Sequence, residues 1–336
     1  MKAAVWYGGK DIRIEDVSIP KIEHDEVLVK VKAVSICGSD LHAYTGVSKR
    51  RIPPLVMGHE FSGEIVKIGS SVKNIREGER VVVEPILSCG TCRLCRLGRN
   101  NICETLKLVG LQVSGAFSDY VSIPAKKCYT FPKTMSFEEA SLVEPLAVAV
   151  HAVNLVSLEK NEDIGIIGSG AIGLMTLQVA KNKSAGKIFI LDTLDYRLAI
   201  AQKLGATTTI NVKKEDILKK ILTDEGVDIV FEAVGHQETV QQGLAMVKKG
   251  GNVVIIGMLE ATMQLPMLDI TVKEIKLQGS YGYTSDDFQQ ALNLITKGKV
   301  NVKPLITHVL PLHDIKSGFE ILSKGAENVV KVILTP

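Results

Sequence analysis

The stretch from Asp163 to Asp192 constrains the fold of this chain more than any other. Asp163-Ile164-Gly165-Ile166-Ile167 reads as a short buried strand, Gly168-Ser169-Gly170-Ala171-Ile172-Gly173 follows it directly, and Leu174–Lys183 carries the pattern of a helix. Glycines at this G-x-G-x-x-G spacing allow a tight turn, close approach of backbone to a pyrophosphate and close packing of helix on strand, with the helix N-terminus facing the phosphate charge. Gly168, Gly170, Ala171, Ile172 and Gly173 are therefore the candidates for holding a dinucleotide. A second strand, Lys187–Leu191, leads into Asp192, nineteen residues after Gly173. A carboxylate there accepts hydrogen bonds from both adenosine ribose hydroxyls and repels a 2′-phosphate, which favours NAD over NADP. Arg197, five residues on, is a neighbour able to reach toward such a phosphate.

Beyond Asp192 the alternation continues. A helix is expected over Tyr196–Leu204, a strand at Thr208–Val212, a helix at Glu215–Leu222, a strand at Val227–Glu232, a helix at Glu238–Val247 and a strand at Gly251–Gly257. Repeated units of this length predict an α/β fold, a doubly wound parallel sheet with right-handed crossovers over residues 150–280. At 336 residues the chain exceeds what one hydrophobic core usually supports, so a second domain is expected. Lys2–Trp6, Glu26–Val34, Glu64–Ile68 and Arg80–Val83 alternate apolar and polar residues with period two, which makes the first part β-rich. The tail holds Lys276–Tyr283, readable as a strand leaving the nucleotide domain, then a helix at Asp286–Thr296 and a closing strand at Lys331–Leu334. It is expected to rejoin the first part, so that 1–149 and 281–336 form one discontinuous domain around 150–280.

Composition narrows the partners. Apolar and charged fractions of 46% and 23% are those of an ordinary globular protein, and a net charge of +3 gives no electrostatic case for nucleic acid or a membrane surface. The uncharged run Ile164–Ala180 is shorter than a bilayer span, and the N-terminus lacks a secretory pattern, so a cytoplasmic location is expected. Four of the six cysteines crowd into Cys89-x2-Cys92-x2-Cys95-x7-Cys103, in a polar lobe over 88–104. Four closely spaced thiolates can close a tetrahedral zinc shell and leave no position for substrate, which marks a structural metal. The same ligands would suit an iron–sulfur cluster, and a zinc ribbon that binds nucleic acid is a third possibility that the near-neutral charge disfavours.

A second metal site of a different kind is indicated upstream. Cys37-Gly38-Ser39-Asp40-Leu41-His42 and Gly58-His59-Glu60 bring a thiol, imidazoles and carboxylates close in sequence, the donor types that zinc collects where a coordination position stays open. Ser136 is spaced to cap a helix with Glu139, and the apolar helix expected from there through Val153 is interrupted by Glu144-Pro145. A carboxylate amid such residues costs free energy unless it is paired or near a metal, so Glu144 joins the candidates.

These motifs, in this order, resemble the zinc-dependent medium-chain alcohol dehydrogenases over essentially the whole chain. Glu144-Pro145 is similar to the polyol branch, with sorbitol, threonine and butanediol dehydrogenases. The resemblance implies a GroES-like β-rich catalytic domain with an inserted Rossmann domain, catalytic and structural zinc, and NAD. It implies that Cys37 and His59 ligate the catalytic zinc, that Glu60 and Glu144 complete the shell directly or through a water, and that Asp40 orients His59. Ser39 and His42 would form the proton relay, and a homotetramer or dimer would be usual. The implied reaction transfers a hydride from a secondary alcohol or polyol to NAD, with a hexitol phosphate or L-threonine as alternative substrates.

Two places depart from the sorbitol pattern: Ala43, followed by Tyr44, stands where an aromatic residue usually follows the relay histidine, and Gly282-Tyr283 where an Arg-Tyr pair is usual. Lys49-Arg50-Arg51 is placed to receive a phosphate on a sugar-phosphate substrate, although a solvated surface run is the simpler account. Cys128 lacks partner spacing and is expected to be a small buried hydrophobe. A catalytically silent nucleotide-binding relative is the remaining class, and it would lack the ligand and relay residues present here.

Overall fold

The computed structural model describes every residue except 184, 217–225 and 326–327. The chain divides into two compact units, one of Met1–Pro145, Thr284–Lys297 and Val302–Pro336, the other of Leu146–Tyr283 and Gly298–Asn301.

The first unit is built on a seven-stranded sheet whose order is Cys128–Thr130, Arg80–Val83, Glu60–Ile68, Glu26–Ser35, Lys331–Thr335 and Ile306–Pro311, with Tyr120–Pro124 also paired to Glu26–Ser35. Glu26–Ser35 lies inside the sheet, and its run of buried valines reads as a strand covered on both sides rather than as a simple alternation. Register matters here because Ser35 stands opposite both Glu60 and Ile333. Residues directly opposite share a face and residues two apart along a strand return to it, so Ser35, Glu60 and Lys331 project to the same side. Val27, Val29, Phe61, Phe117, Phe319 and Val332 belong to the core behind them.

The segment after Ser35 turns into a helix, Gly38–Tyr44, with Cys37 at its N-cap. Asp40 accepts from the Cys37 N–H at 3.1 Å, while Cys37 Sγ accepts from the Ser39 N–H at 3.4 Å. The far end is fixed by Tyr44, whose ring stacks on Phe319 with centroids 4.3 Å apart. Ser136 and Glu139 form the expected capping box, but the helix it opens ends at Ser141, and a second helix, Val143–Asn154, follows. Pro145 explains the break: it is tolerated in the first turn, where N–H groups have no intrahelical acceptor, and would disrupt a continuous helix.

In the second unit six parallel strands are found among the described residues, in the order Thr208–Asn211, Ile188–Asp192, Ile164–Ile167, Val227–Glu232, Val247–Ile255 and Lys276–Gly279. This is the 3-2-1-4-5-6 order of the Rossmann fold. Lys276–Gly279 is thus the sixth strand of this sheet, and after Tyr283 the chain passes from this unit into the first. Val247–Ile255 begins earlier than Gly251, and the helix expected at Glu215–Leu222 falls largely outside the described residues. The helix after the glycine turn spans Ala171–Asn182, three residues earlier than the apolar pattern alone places it, because Gly170 takes the extended N-cap position.

Candidate functional site

Ligand atoms of Cys37, His59 and Glu60 all lie within 4.8 Å of one another. His59 and Glu60 stand where the chain enters the strand Glu60–Ile68, and the turn before them depends on glycine. Gly58 has φ +92°, and a Cβ on it would lie 2.7 Å from the Phe117 ring. The His59 ring is buried with Nδ1 turned toward Asp40 Oδ1 at 3.6 Å, which leaves Nε2 for a metal. Burial disfavours charge on the ring, but its interactions with the Asp40 carboxylate and with Cys37 outweigh it and hold the ring's pKa well above the ordinary histidine value. A buried imidazole set among a cysteine sulfur and carboxylates is a donor set that a divalent cation satisfies directly. The mixed sulfur, nitrogen and oxygen donors fit a zinc that keeps a position open.

Glu60 has partners that the sequence pattern did not reveal. Ser35 Oγ donates to Oε2, and Lys331 Nζ donates to both carboxylate oxygens, at 2.6 Å to Oε1. Burial acts to lower the Lys331 pKa, yet the charges of Glu60 and Cys37 raise it above its ordinary value, so the ammonium is retained. Glu144 is buried in the first turn of Val143–Asn154, and its charge also acts on Lys331, but it is not among the three residues whose ligand atoms converge. The missed signal was a lone lysine within the apolar run Val329–Leu334, the same kind of interruption that singled out Glu144. Ser39 and His42 lie three apart on the helix Gly38–Tyr44, a spacing that brings side chains to one face.

The phosphate-binding expectation for Lys49-Arg50-Arg51 is corrected at Arg51. Lys49 and Arg50 are exposed, but Arg51 is buried, with its guanidinium committed to Ser39, Asp40 and Gly110. Neither a free anion receptor nor a solvated run describes it.

Cys89, Cys92, Cys95 and Cys103 form the second convergent group, all as free thiols. Their sulfurs stand 3.5 Å (Cys89 to Cys103) and 3.9 Å (Cys89 to Cys95, Cys92 to Cys103) apart. A tetrahedron with zinc–sulfur bonds of about 2.3 Å has edges of about 3.8 Å, so the lobe is already shaped for the ion. Backbone N–H groups of Thr91 and Cys92 bring the Cys89 thiol down to about 5, whereas burial pushes Cys95 up to about 11. Cys128 stands apart on the strand Cys128–Thr130, its thiol pushed up to about 12 by burial. Thiol titration of the zinc-loaded protein at pH 8 will therefore leave Cys128 unreacted until denaturant is added; rapid native reaction assigned to Cys128 by mass spectrometry would contradict this.

In the second unit Asp192 is held at both oxygens. Ser169 donates to Oδ2 from its N–H at 2.7 Å and its hydroxyl at 2.8 Å, while the Thr193 and Leu194 N–H groups donate to Oδ1 at 2.7 and 3.0 Å. A Cβ on Gly173 would fall 1.8 Å from the Gly168 carbonyl oxygen, so the turn closes only with glycine there. At Gly170 the Cβ position opens onto space, with Arg197 Nη1 the nearest atom at 3.9 Å. The N-terminus of a twelve-residue helix is thus open to close approach at Gly170.

Comparison with known proteins agrees with both halves. Residues 171–297 match the zinc-binding dehydrogenase family, and residues 23–133 match the alcohol dehydrogenase GroES-like domain. An L-threonine 3-dehydrogenase of Bacillus licheniformis is 39% identical over 345 residues, covering 100% of this chain and 99% of the relative. The chain belongs to the zinc-binding dehydrogenases. A sorbitol dehydrogenase of Bacillus subtilis is 37% identical, covering 100% of this dehydrogenase and 97% of the relative. The crystal structure of 2R,3R-butanediol dehydrogenase from Bacillus subtilis superposes with a TM-score of 0.92 at 35% identity, covering 100% and 99%. This dehydrogenase is accordingly a zinc-type oxidoreductase with a GroES-like domain and a Rossmann sheet. Among its described residues no helix is long and apolar enough to cross a membrane.

Proposed function

We propose that the protein oxidises a secondary alcohol or polyol to the ketone with NAD, using Cys37, His59 and Glu60 to hold a catalytic zinc and the Glu144 carboxylate as an exchangeable fourth ligand. The convergence of those three ligand atoms beside a capped helix that carries Ser39 and His42 is the observation on which this rests. Zinc, when bound, polarises the substrate hydroxyl and lowers its pKa toward neutrality. Ser39 Oγ accepts that proton and passes it along the helix face to His42 and solvent. Lys331 balances the negative charge that Cys37, Glu60 and Glu144 concentrate in one place and keeps Glu60 ordered until it is needed as a ligand.

NAD supplies the hydride acceptor. Gly168, Gly170, Ala171, Ile172 and Gly173 would hold its pyrophosphate, and Asp192 the adenosine ribose, with Arg197 beside the turn. The four-cysteine lobe would hold a structural zinc. Cytoplasmic location and a homo-oligomer accord with this reading.

The test is a panel of polyols, diols, L-threonine and hexitol phosphates, followed by NADH absorbance with metal-depleted protein as control. L-Threonine leads the panel because of the relative of nearly identical length. Robust NAD reduction after complete zinc removal would refute the proposal. The ribose assignment makes its own prediction: Asp192→Ser will lower kcat/KM with NAD by about tenfold to a hundredfold and narrow the preference over NADP, as loss of a charged acceptor worth about 1.5–3 kcal/mol implies. Unchanged cofactor preference would remove Asp192 from the site.

A further inference from the structure

We propose that Arg51 is a positioning residue that sets the relay hydroxyl and the carboxylate behind the metal-binding histidine with a single guanidinium, so that proton exit and metal geometry are coupled. The inference rests on the reading of Ser39 and His59 given above.

Arg51 is buried, with its side chain 2% exposed. Nη2 donates to Asp40 Oδ1 at 2.6 Å and to Ser39 Oγ at 3.2 Å, Nη1 donates to the Ser39 carbonyl at 2.8 Å, and Nε donates to the Gly110 carbonyl at 2.9 Å. These contacts reach both halves of the site. Ser39 and Asp40 belong to the helix that begins at Cys37. Gly110 packs against Gly58, which precedes His59, closely enough that a Cβ on Gly110 would lie 2.7 Å from the Gly58 carbonyl oxygen. The Cys37 segment and the His59 segment are thus joined through one side chain that ligates nothing itself.

The chemistry of each contact has a direction. Asp40 uses Oδ1 both for Arg51 and for facing His59 Nδ1, so the guanidinium fixes the carboxylate that aims the ring. At Ser39 the donation occupies one lone pair of Oγ. The other lone pair is left to accept from a substrate hydroxyl, and the O–H is left to donate onward, which gives the relay one orientation instead of several. A planar fork with fixed donors makes these bonds simultaneously; a lysine ammonium in its place would supply the charge without the fork.

The experiment compares Arg51→Met and Arg51→Lys with the parent, each as the full chain with cobalt in place of zinc and, separately, with zinc. The cobalt spectrum of Cys37→Ala gives the contribution of the four-cysteine lobe alone. In Arg51→Met both sites will fill, the visible band of the Cys37 site will shift, and kcat will fall by about a hundredfold with KM for the alcohol within about threefold. The solvent deuterium isotope effect on kcat will rise as proton exit slows. Arg51→Lys will recover part of kcat. A cobalt band identical to the parent's together with kcat within about threefold would overturn the proposal. Equal loss of kcat, KM and thermal midpoint in both variants would also overturn it, by marking Arg51 as a support of the fold alone. If the parent reduces no NAD with any alcohol, the functional reading fails, and the cobalt band alone then decides whether Arg51 orients the metal site.

Discussion

Cys37→Ala will lower kcat/KM by roughly a thousandfold or more, about 4 kcal/mol of transition-state stabilisation, while the protein stays folded and keeps the metal of the four-cysteine lobe. The two candidate metal groups share no residue. Removing the thiol takes one of three converging ligands from a site whose remaining donors, His59 and Glu60, already have the protein partners Asp40 and Lys331. Metal analysis separates the outcomes: the variant will lose the ion of the Cys37 site and retain that of the lobe. Near-parental activity with only the lobe occupied would show that the reaction does not use the Cys37 site.

Lys331→Met will destabilise the metal-free protein by about 3–5 kcal/mol, the usual cost of leaving a buried carboxylate without its cation. Lys331 and Glu60 side chains are 6% and 2% exposed, so water cannot replace the lost partner. Zinc should recover part of the loss, since Glu60 then has another cation to face, and Glu60→Gln in the same chain should recover most of it. Urea unfolding of the four combinations, with and without zinc, gives the coupling directly. Additive costs would show that the two residues do not act as a pair. The pH dependence carries a sign. Because the folded Lys331 pKa is raised above its ordinary value of 10.5, the pair's stabilisation is complete below that value and declines as the pH rises through the folded one. The difference between parent and Lys331→Met will therefore be constant through neutral pH and shrink only in strong alkali.

The elements that sequence made legible were those with a local signature. Strand, glycine turn, helix and terminal aspartate in 163–192 follow one another without help from distant residues, and the strand at Val227–Glu232 fell where its apolar run lies. The cysteine lobe was equally readable because its ligands are near neighbours. What sequence hid was long-range pairing. Nothing near Glu60 announces Lys331, and Arg51 sits in a basic run that resembles solvated surface. Its burial is decided by Ser39, Asp40 and Gly110, eleven to fifty-nine residues away. Glu144 was found by the cost of its burial alone, a rule that applied with equal force to Lys331 inside its valine-rich strand.

The ion pair at Glu60 also carries an order of events in synthesis. Its two members are separated by 271 residues, and the whole nucleotide-binding unit is translated between them. A ribosome therefore releases the Cys37, His59 and Glu60 segments long before the strand that neutralises Glu60 exists, so the β-rich unit cannot mature as a nascent chain. Contacts of such sequence separation form late because the intervening loop must close first. In refolding, the lobe of Cys89–Cys103 should take up metal early and the Cys37 site last, and stopped-flow cobalt binding will resolve the two steps. Simultaneous uptake would show that the nascent half of the unit binds metal without Lys331.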